Sequence, residues 1–204
     1  VIKTMTHEMD KALGFCYCLD KGVARDYKQA FKWFNKAAKG GLARSLGLVG
    51  AMWMGGLGVN QDYKKALGFF KKADKEADPV VQYCLSLLYY YGLEVEVDHE
   101  QALRWCTKAA KNEYAPAQFF LGCSYFDGQG VKEDLNEGAQ WVRRAAEQGY
   151  KNALDMLSFM GEVPDSEQEK AEIIKFPVSE EISAFIQERV RIDKEKVIES
   201  YRDE

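Results

Sequence analysis

The sequence predicts an all-α fold, a solenoid of antiparallel helix pairs, on three observations. Asp26, Asp62, Asp98 and Asp134 follow one another at a constant step of 36 residues, a period characteristic of stacked repeats. The residues around each aspartate recur at the same step. Valine stands three positions before it (Val23, Val59, Val95, Val131), and a large aromatic seven after it (Trp33, Phe69, Trp105, Trp141). A cation and an alanine then follow as Lys36-Ala37, Lys72-Ala73, Lys108-Ala109 and Arg144-Ala145. Within one unit the apolar residues Ala30, Trp33, Phe34 and Ala37 keep a spacing that lines one side of a helix.

Each element follows in order. The aspartates are helix N-caps, because a carboxylate accepts from the free N–H groups of a first turn; Gln29, Gln101 and Glu137 complete capping-box pairs with them. The second helix of each pair starts there, and the first of these ends near Gly40-Gly41. The first helix of each pair carries an apolar residue before a tiny one: Leu13-Gly14, Val49-Gly50, Leu85-Ser86, Leu121-Gly122 and Leu157-Ser158. A tiny side chain there lets the two backbones approach at their crossing. Tyr17, Trp53, Tyr89 and Tyr125 stand three residues further on. Gly56/Gly58 and Gly128/Gly130 punctuate the turn before the aspartate, where positive φ is needed. No single pair encloses enough core, so neighbouring pairs must stack.

Bulk properties bound the function. A chain of 204 residues, 47% hydrophobic and 29% charged, builds a core and is not a disordered segment. Its net charge of −4 comes from interspersed signs with no basic block, which argues against nucleic acid and an anionic membrane as partners. The most apolar stretch, Val80 to Leu93, is broken by Gln82 and Ser86 and falls short of the roughly 20 residues of a spanning helix, so no membrane insertion is expected. The first residues, with Lys3, His7, Glu8 and Asp10 after Val1, resemble neither a signal sequence nor a natural start, and the chain reads as a processed or cloned piece. Cys16, Cys18, Cys84, Cys106 and Cys123 are odd in number and irregularly spaced, which is not a disulfide framework. A cytoplasmic, reducing location is favoured, with secretion or a periplasmic location open.

The motif Leu121-Gly122…Tyr125…Gly128…Gly130-Val131…Asp134, followed by Trp141…Arg144-Ala145-Ala146, resembles the Sel-one-like repeat (SLR) family, relatives of the tetratricopeptide solenoids. The resemblance covers residues 9 to 160 and implies a right-handed superhelix with the first helices on its concave face. The third unit departs, with Ser86 for glycine and Glu94 for the second turn glycine, so a wider turn is expected there. Ala38, Asp74, Ala110 and Ala146 stand where the disulfide-forming branch of the family carries cysteine, which sets that branch aside. Two regions follow: a solenoid over 1–161, with four helix pairs and a further first helix, and a helical extension over 162–204. Ser166 and Ser179 are caps for the helices of that extension, which either caps the solenoid's end or docks a partner.

Groups for catalysis are sparse, so an enzyme is not expected and no catalytic residue, metal or cofactor is assigned. His7 is read as lying in a frayed N-terminus and His99 as exposed in a first turn. Cys16-x-Cys18 is half a zinc site at most; a buried Cys16 beside a more exposed Cys18 is the simpler reading. Gly-x-Gly turns without a preceding strand are no dinucleotide fingerprint.

The resemblance instead implies a protein or peptide partner held in the concave groove. Counting from the tiny residue, the positions three before, one after and four after form a stripe apart from the core stripe. The stripe holds Lys11, Phe15 and Cys18; Gly47, Ala51 and Met54; Tyr83, Leu87 and Tyr90; Phe119, Cys123 and Phe126; and Asp155 and Phe159. The expected groove residues are Phe15, Met54, Tyr83, Leu87, Tyr90, Phe119, Cys123, Phe126 and Phe159, with Tyr83 and Phe119 spare to the core. Other readings stay open: rings packed on one another or under the extension, a homodimer face in the groove or C-terminal helix, an enzyme or metal-binding protein using the cysteines, or a module positioning another domain of a larger chain.

Overall fold

A computed structural model describes residues 2–19, 23–73 and 78–159. Among the described residues are nine helices and no strand: α1 (Ile2–Leu19), α2 (Tyr27–Lys39), α3 (Ala43–Gly55), α4 (Tyr63–Ala73), α5 (Pro79–Tyr91), α6 (His99–Lys111), α7 (Ala115–Asp127), α8 (Leu135–Glu147) and α9 (Lys151–Phe159). They divide into two compact units, one running to Val81 and the other starting at Gln82 within α5. The expected extension over 162–204 lies outside the described residues.

Every second helix is entered in the same way. The Asp26 carboxylate accepts from the backbone N–H groups of Lys28 (2.9 Å) and Gln29 (3.1 Å), and Asp62 accepts from Lys65 (2.8 Å). Asp98 accepts from Gln101 at 2.8 Å, and Asp134 from Asn136 and Glu137, both at 3.0 Å. The expected return contact of a capping box is replaced. The backbone N–H of Asp26 donates to the Tyr17 carbonyl (3.0 Å), and those of Asp62, Asp98 and Asp134 donate to Trp53 (2.9 Å), Tyr89 (3.0 Å) and Tyr125 (3.0 Å). Each aspartate thus ties the last turn of one helix to the first turn of the next with two groups of one residue.

The turns leave the first helices through left-handed residues, Gly56 (φ 66°), Gly92 (φ 69°) and Gly128 (φ 64°). A second positive φ follows at Gly58 (70°) and Gly130 (72°), and also at Glu94 (59°). The wider turn expected at Glu94 is therefore not found. Leu93 N–H donates to the Leu88 carbonyl at 2.9 Å, as Leu57 does to Met52 at 2.9 Å. Glutamate holds a glycine conformation there at a cost of about 1–2 kcal/mol. Gly58 and Gly130 have a further reason to be glycine. A Cβ would stand 2.3 Å from the Tyr27 carbonyl oxygen at the first and 2.6 Å from that of His99 at the second.

In the first unit α1 packs on α2, α2 on α3 and α3 on α4. Gly14 faces the Phe34 ring and Gly50 the Phe70 ring, where a Cβ would approach to 2.5 and 2.6 Å. Ala30, Phe34, Ala37, Val49, Met52, Ala66 and Phe70 are fully buried around these crossings. In the second unit α6 packs on α7, α7 on α8 and α8 on α9. Gly122 meets Val142 there, and Val142, Ala145, Ala146, Ala153 and Leu157 form a buried cluster with Ala115. Ser86 takes the glycine position with its hydroxyl donating to the Tyr83 carbonyl at 2.8 Å. Its unit carries the smaller Cys106 in the column of Phe34 and Phe70.

The aromatic column marks the edge of the interior. Trp33, Phe69 and Trp105 are half-buried and Trp141 is 9% exposed. Over each ring lies the recurring cation: Lys36 at 4.8 Å, Lys72 at 5.7 Å, Lys108 at 4.0 Å and Arg144 at 4.4 Å. One turn of helix separates ring and cation, so the pair covers an apolar face that solvent would otherwise wet.

Candidate functional site

The expected stripe is divided by burial. In the first unit Met54 is 0% exposed, while Phe15 is half-buried and meets Phe34 edge-on at 5.1 Å. In the second unit Tyr83 and Leu87 are interior, at 0% and 1% exposed. Tyr83 packs edge-on against Tyr114 (5.5 Å) and Phe120 (6.1 Å). Met54, Tyr83 and Leu87, expected on an open wall, are core. For Tyr83 and Leu87 the physical reason lies in α5, whose residues Val81 to Leu88 are all buried, leaving that stretch no free face to spare. The side chain of Phe159 lies outside the described residues.

Tyr90, Phe119, Cys123 and Phe126 remain half-buried, all in the second unit. Tyr90 is the hub, with Tyr91, His99 and Phe120 each 4.9 Å from its ring and its hydroxyl donating to Gln129 Oε1. Burial raises its phenol above the ordinary range, helped by the neighbouring Tyr91, Asp127 and Cys123. Phe126 lies over Gly138, where a Cβ would come within 2.6 Å of the ring, and Phe119 meets Tyr150 at 5.5 Å. His99, expected exposed, is half-buried against Tyr90. Phe120, which joins Tyr83 to Tyr90, lies off the predicted stripe. Its signal was the apolar column two before the tiny residue, Ala12, Leu48, Cys84, Phe120 and Met156.

The titratable groups sit differently from expectation. Cys18 is 3% exposed and Cys16 half-buried, the reverse of the sequence reading. Cys106 is fully buried, its thiol near the Ala117 carbonyl (3.2 Å) and pushed far up by burial. Cys123 is pushed up to about 11, first by burial and then by Asp127. A thiol held protonated is a poor nucleophile, so neither is activated. His7 belongs to α1 and lies 3.7 Å from the buried Asp10, so it is not in a frayed end. Among the described residues no three His, Cys, Asp or Glu gather as a metal site would require, and no helix is long and apolar enough to cross a membrane.

A cleft of about 620 Å³ also opens beside α6, with Leu103, Trp105, Leu121 and Val131 among its apolar lining and Glu100, Arg104 and Lys108 among its charged residues. It adjoins the aromatic column instead of the stripe, and Glu100 and Arg104 are paired within it at 2.7 Å.

Four stretches, residues 11–42, 44–73, 79–114 and 115–150, match the family model of the Sel1 repeat. The chain belongs to the Sel1 repeat family. Each matched Sel1 stretch contains one aspartate cap. A Sel1 repeat protein of Oxalobacter formigenes is 31% identical, with a TM-score of 0.67 over 79% of this chain and 68% of that one. The protective antigen c5321 of uropathogenic Escherichia coli, which displays an SLR fold, is 32% identical with a TM-score of 0.66. That match covers 76% of this chain and only 33% of the antigen. Among curated proteins no match is found. Sel1 repeat proteins are generally non-catalytic scaffolds for interactions between proteins, and the helical-repeat fold of this chain is that of the family.

Proposed function

We propose that this Sel1 repeat chain holds a partner polypeptide on the half-buried rings of its second unit, Tyr90, Phe119 and Phe126, with Cys123 between them. One observation carries the reading. In the stripe of that unit Tyr83 and Leu87 are interior, whereas these four keep part of their surface open. Tyrosine and phenylalanine contribute large contact area with few rotors to fix, which suits recognition of an extended peptide or an amphipathic helix. The Tyr90 hydroxyl adds a polar handle at the rim.

The test is affinity capture with wild type beside a Tyr90→Ser/Phe126→Ser variant, with thermal melting to confirm that the variant is folded. Proteins retained by wild type and lost from the folded variant support the assignment. An unchanged captured set removes these rings from the binding surface. Self-association of wild type that the variant lacks assigns the same rings to a dimer face instead.

A further inference from the structure

The cleft beside α6 lies off the stripe of rings, and two columns of the repeat change where it opens. In the first unit Phe31 of α2 and Trp53 of α3 meet edge-on, their ring centroids 5.5 Å apart. Two steps of 36 residues on, the same columns hold Leu103 of α6 and Tyr125 of α7, and both line the cleft. Leu121, Val131 and the Trp105 ring complete its apolar lining. The charge there changes in the same way. Lys36 is neutralised by the buried Asp10 at 2.9 Å. Two steps on, Lys108 stands in the column of Lys36 and Gln82 in that of Asp10. Gln82 is neutral, and its Oε1 accepts from Asn112 at 3.2 Å. Lys108 makes no ion pair among the described residues; its ammonium lies 4.0 Å from the centroid of the Trp105 ring, and both residues line the cleft. Glu100 and Arg104 offset each other, so the lining is left with one positive charge.

We propose that this cleft is a second binding site, separate from the ring patch, for a partner polypeptide that inserts an aromatic side chain with a carboxylate beside it. The inserted ring restores against Tyr125 the edge contact that Phe31 makes with Trp53. The carboxylate restores to Lys108 the counter-charge that Asp10 gives Lys36. The volume of about 620 Å³ is that of a site for a drug-sized ligand, which admits the ring together with the backbone that carries it. A phosphate group is a poorer occupant. It is best held by a free arginine fork, and Arg104 is already engaged by Glu100 at 2.7 Å.

Saturation-transfer NMR of the full chain with the blocked dipeptide acetyl-Asp-Trp-amide tests this. Transfer from wild type to the indole protons is expected at millimolar peptide. Leu103→Phe/Tyr125→Trp copies the first unit's pair into the second and should abolish the transfer, with a melting curve to show that the variant is folded. Lys108→Gln with the same peptide, or wild type with the uncharged acetyl-Asn-Trp-amide, should bind about threefold more weakly, as for the loss of one exposed ion pair. Tyr90→Ser/Phe126→Ser should bind the peptide as wild type does, so failure of the ring patch and failure of the cleft are told apart. Absence of transfer from wild type overturns the proposal, as does equal transfer from wild type and the filled variant. Equal affinity for the two peptides overturns the assignment of the carboxylate to Lys108. A dimer that forms in wild type and is lost in the filled variant overturns it in favour of a second copy of this chain.

Discussion

Glu94 holds a glycine's backbone conformation without being glycine, and its side chain is exposed. Glu94→Gly should therefore raise stability by about 1 kcal/mol, read as a higher denaturation midpoint. Burial, more than column, decides the ring substitutions. Tyr83→Ala and Trp141→Ala should each lower stability by about 3–5 kcal/mol, and Tyr90→Ala by less than either, in urea titrations of the three variants. Cys123 gives a pH signature. Its thiol ionises near 9 when free and only at about 11 in the fold, so the folded chain holds the proton more tightly. The stability linked to it is fully present below pH 9 and declines as pH rises toward 11. Cys123→Ala should flatten that alkaline decline. At this scale the sequence was least legible. Spacing marked which residues share a helix face, but Tyr83 and Tyr90 belong to one predicted stripe and both meet Phe120; Tyr83 is core, with Tyr114 packed on it as well.

At the scale of the helix pair, most of the fold was legible. The aspartates announced the second helices, and the tiny residues the crossings, because a cap and a close approach each admit few residue types. Asp134→Ala should lower stability by about 1 kcal/mol, measured by chemical denaturation, since two backbone N–H groups lose their acceptor. Its own N–H bond to the Tyr125 carbonyl survives that change, so the pair should loosen and not unfold. That bond was not legible. Any residue but proline can donate it, and it leaves no mark on the sequence. The cation beside each aromatic was visible as a recurrence, but its place over the ring followed only from the half-exposure of the column.

For the whole molecule, the period of 36 residues was enough to place the chain among helical repeats, because identical spacings require identical pairs. What the period did not reveal is where repeats stop being equivalent. Lysines without acids stand on α2 and α4 while acids enter α6 and α8, and three of the stripe's half-buried rings, Tyr90, Phe119 and Phe126, lie in the second unit against Phe15 in the first. A scaffold made of near-identical parts acquires its specificity through such differences. The most direct measurement is the affinity of a captured partner for wild type and for Tyr90→Ser/Phe126→Ser, by titration calorimetry at a temperature where both are folded. A loss of about 100-fold or more is predicted, as for anchoring residues at an interface; affinities within about twofold of each other would contradict the assignment of these rings to binding.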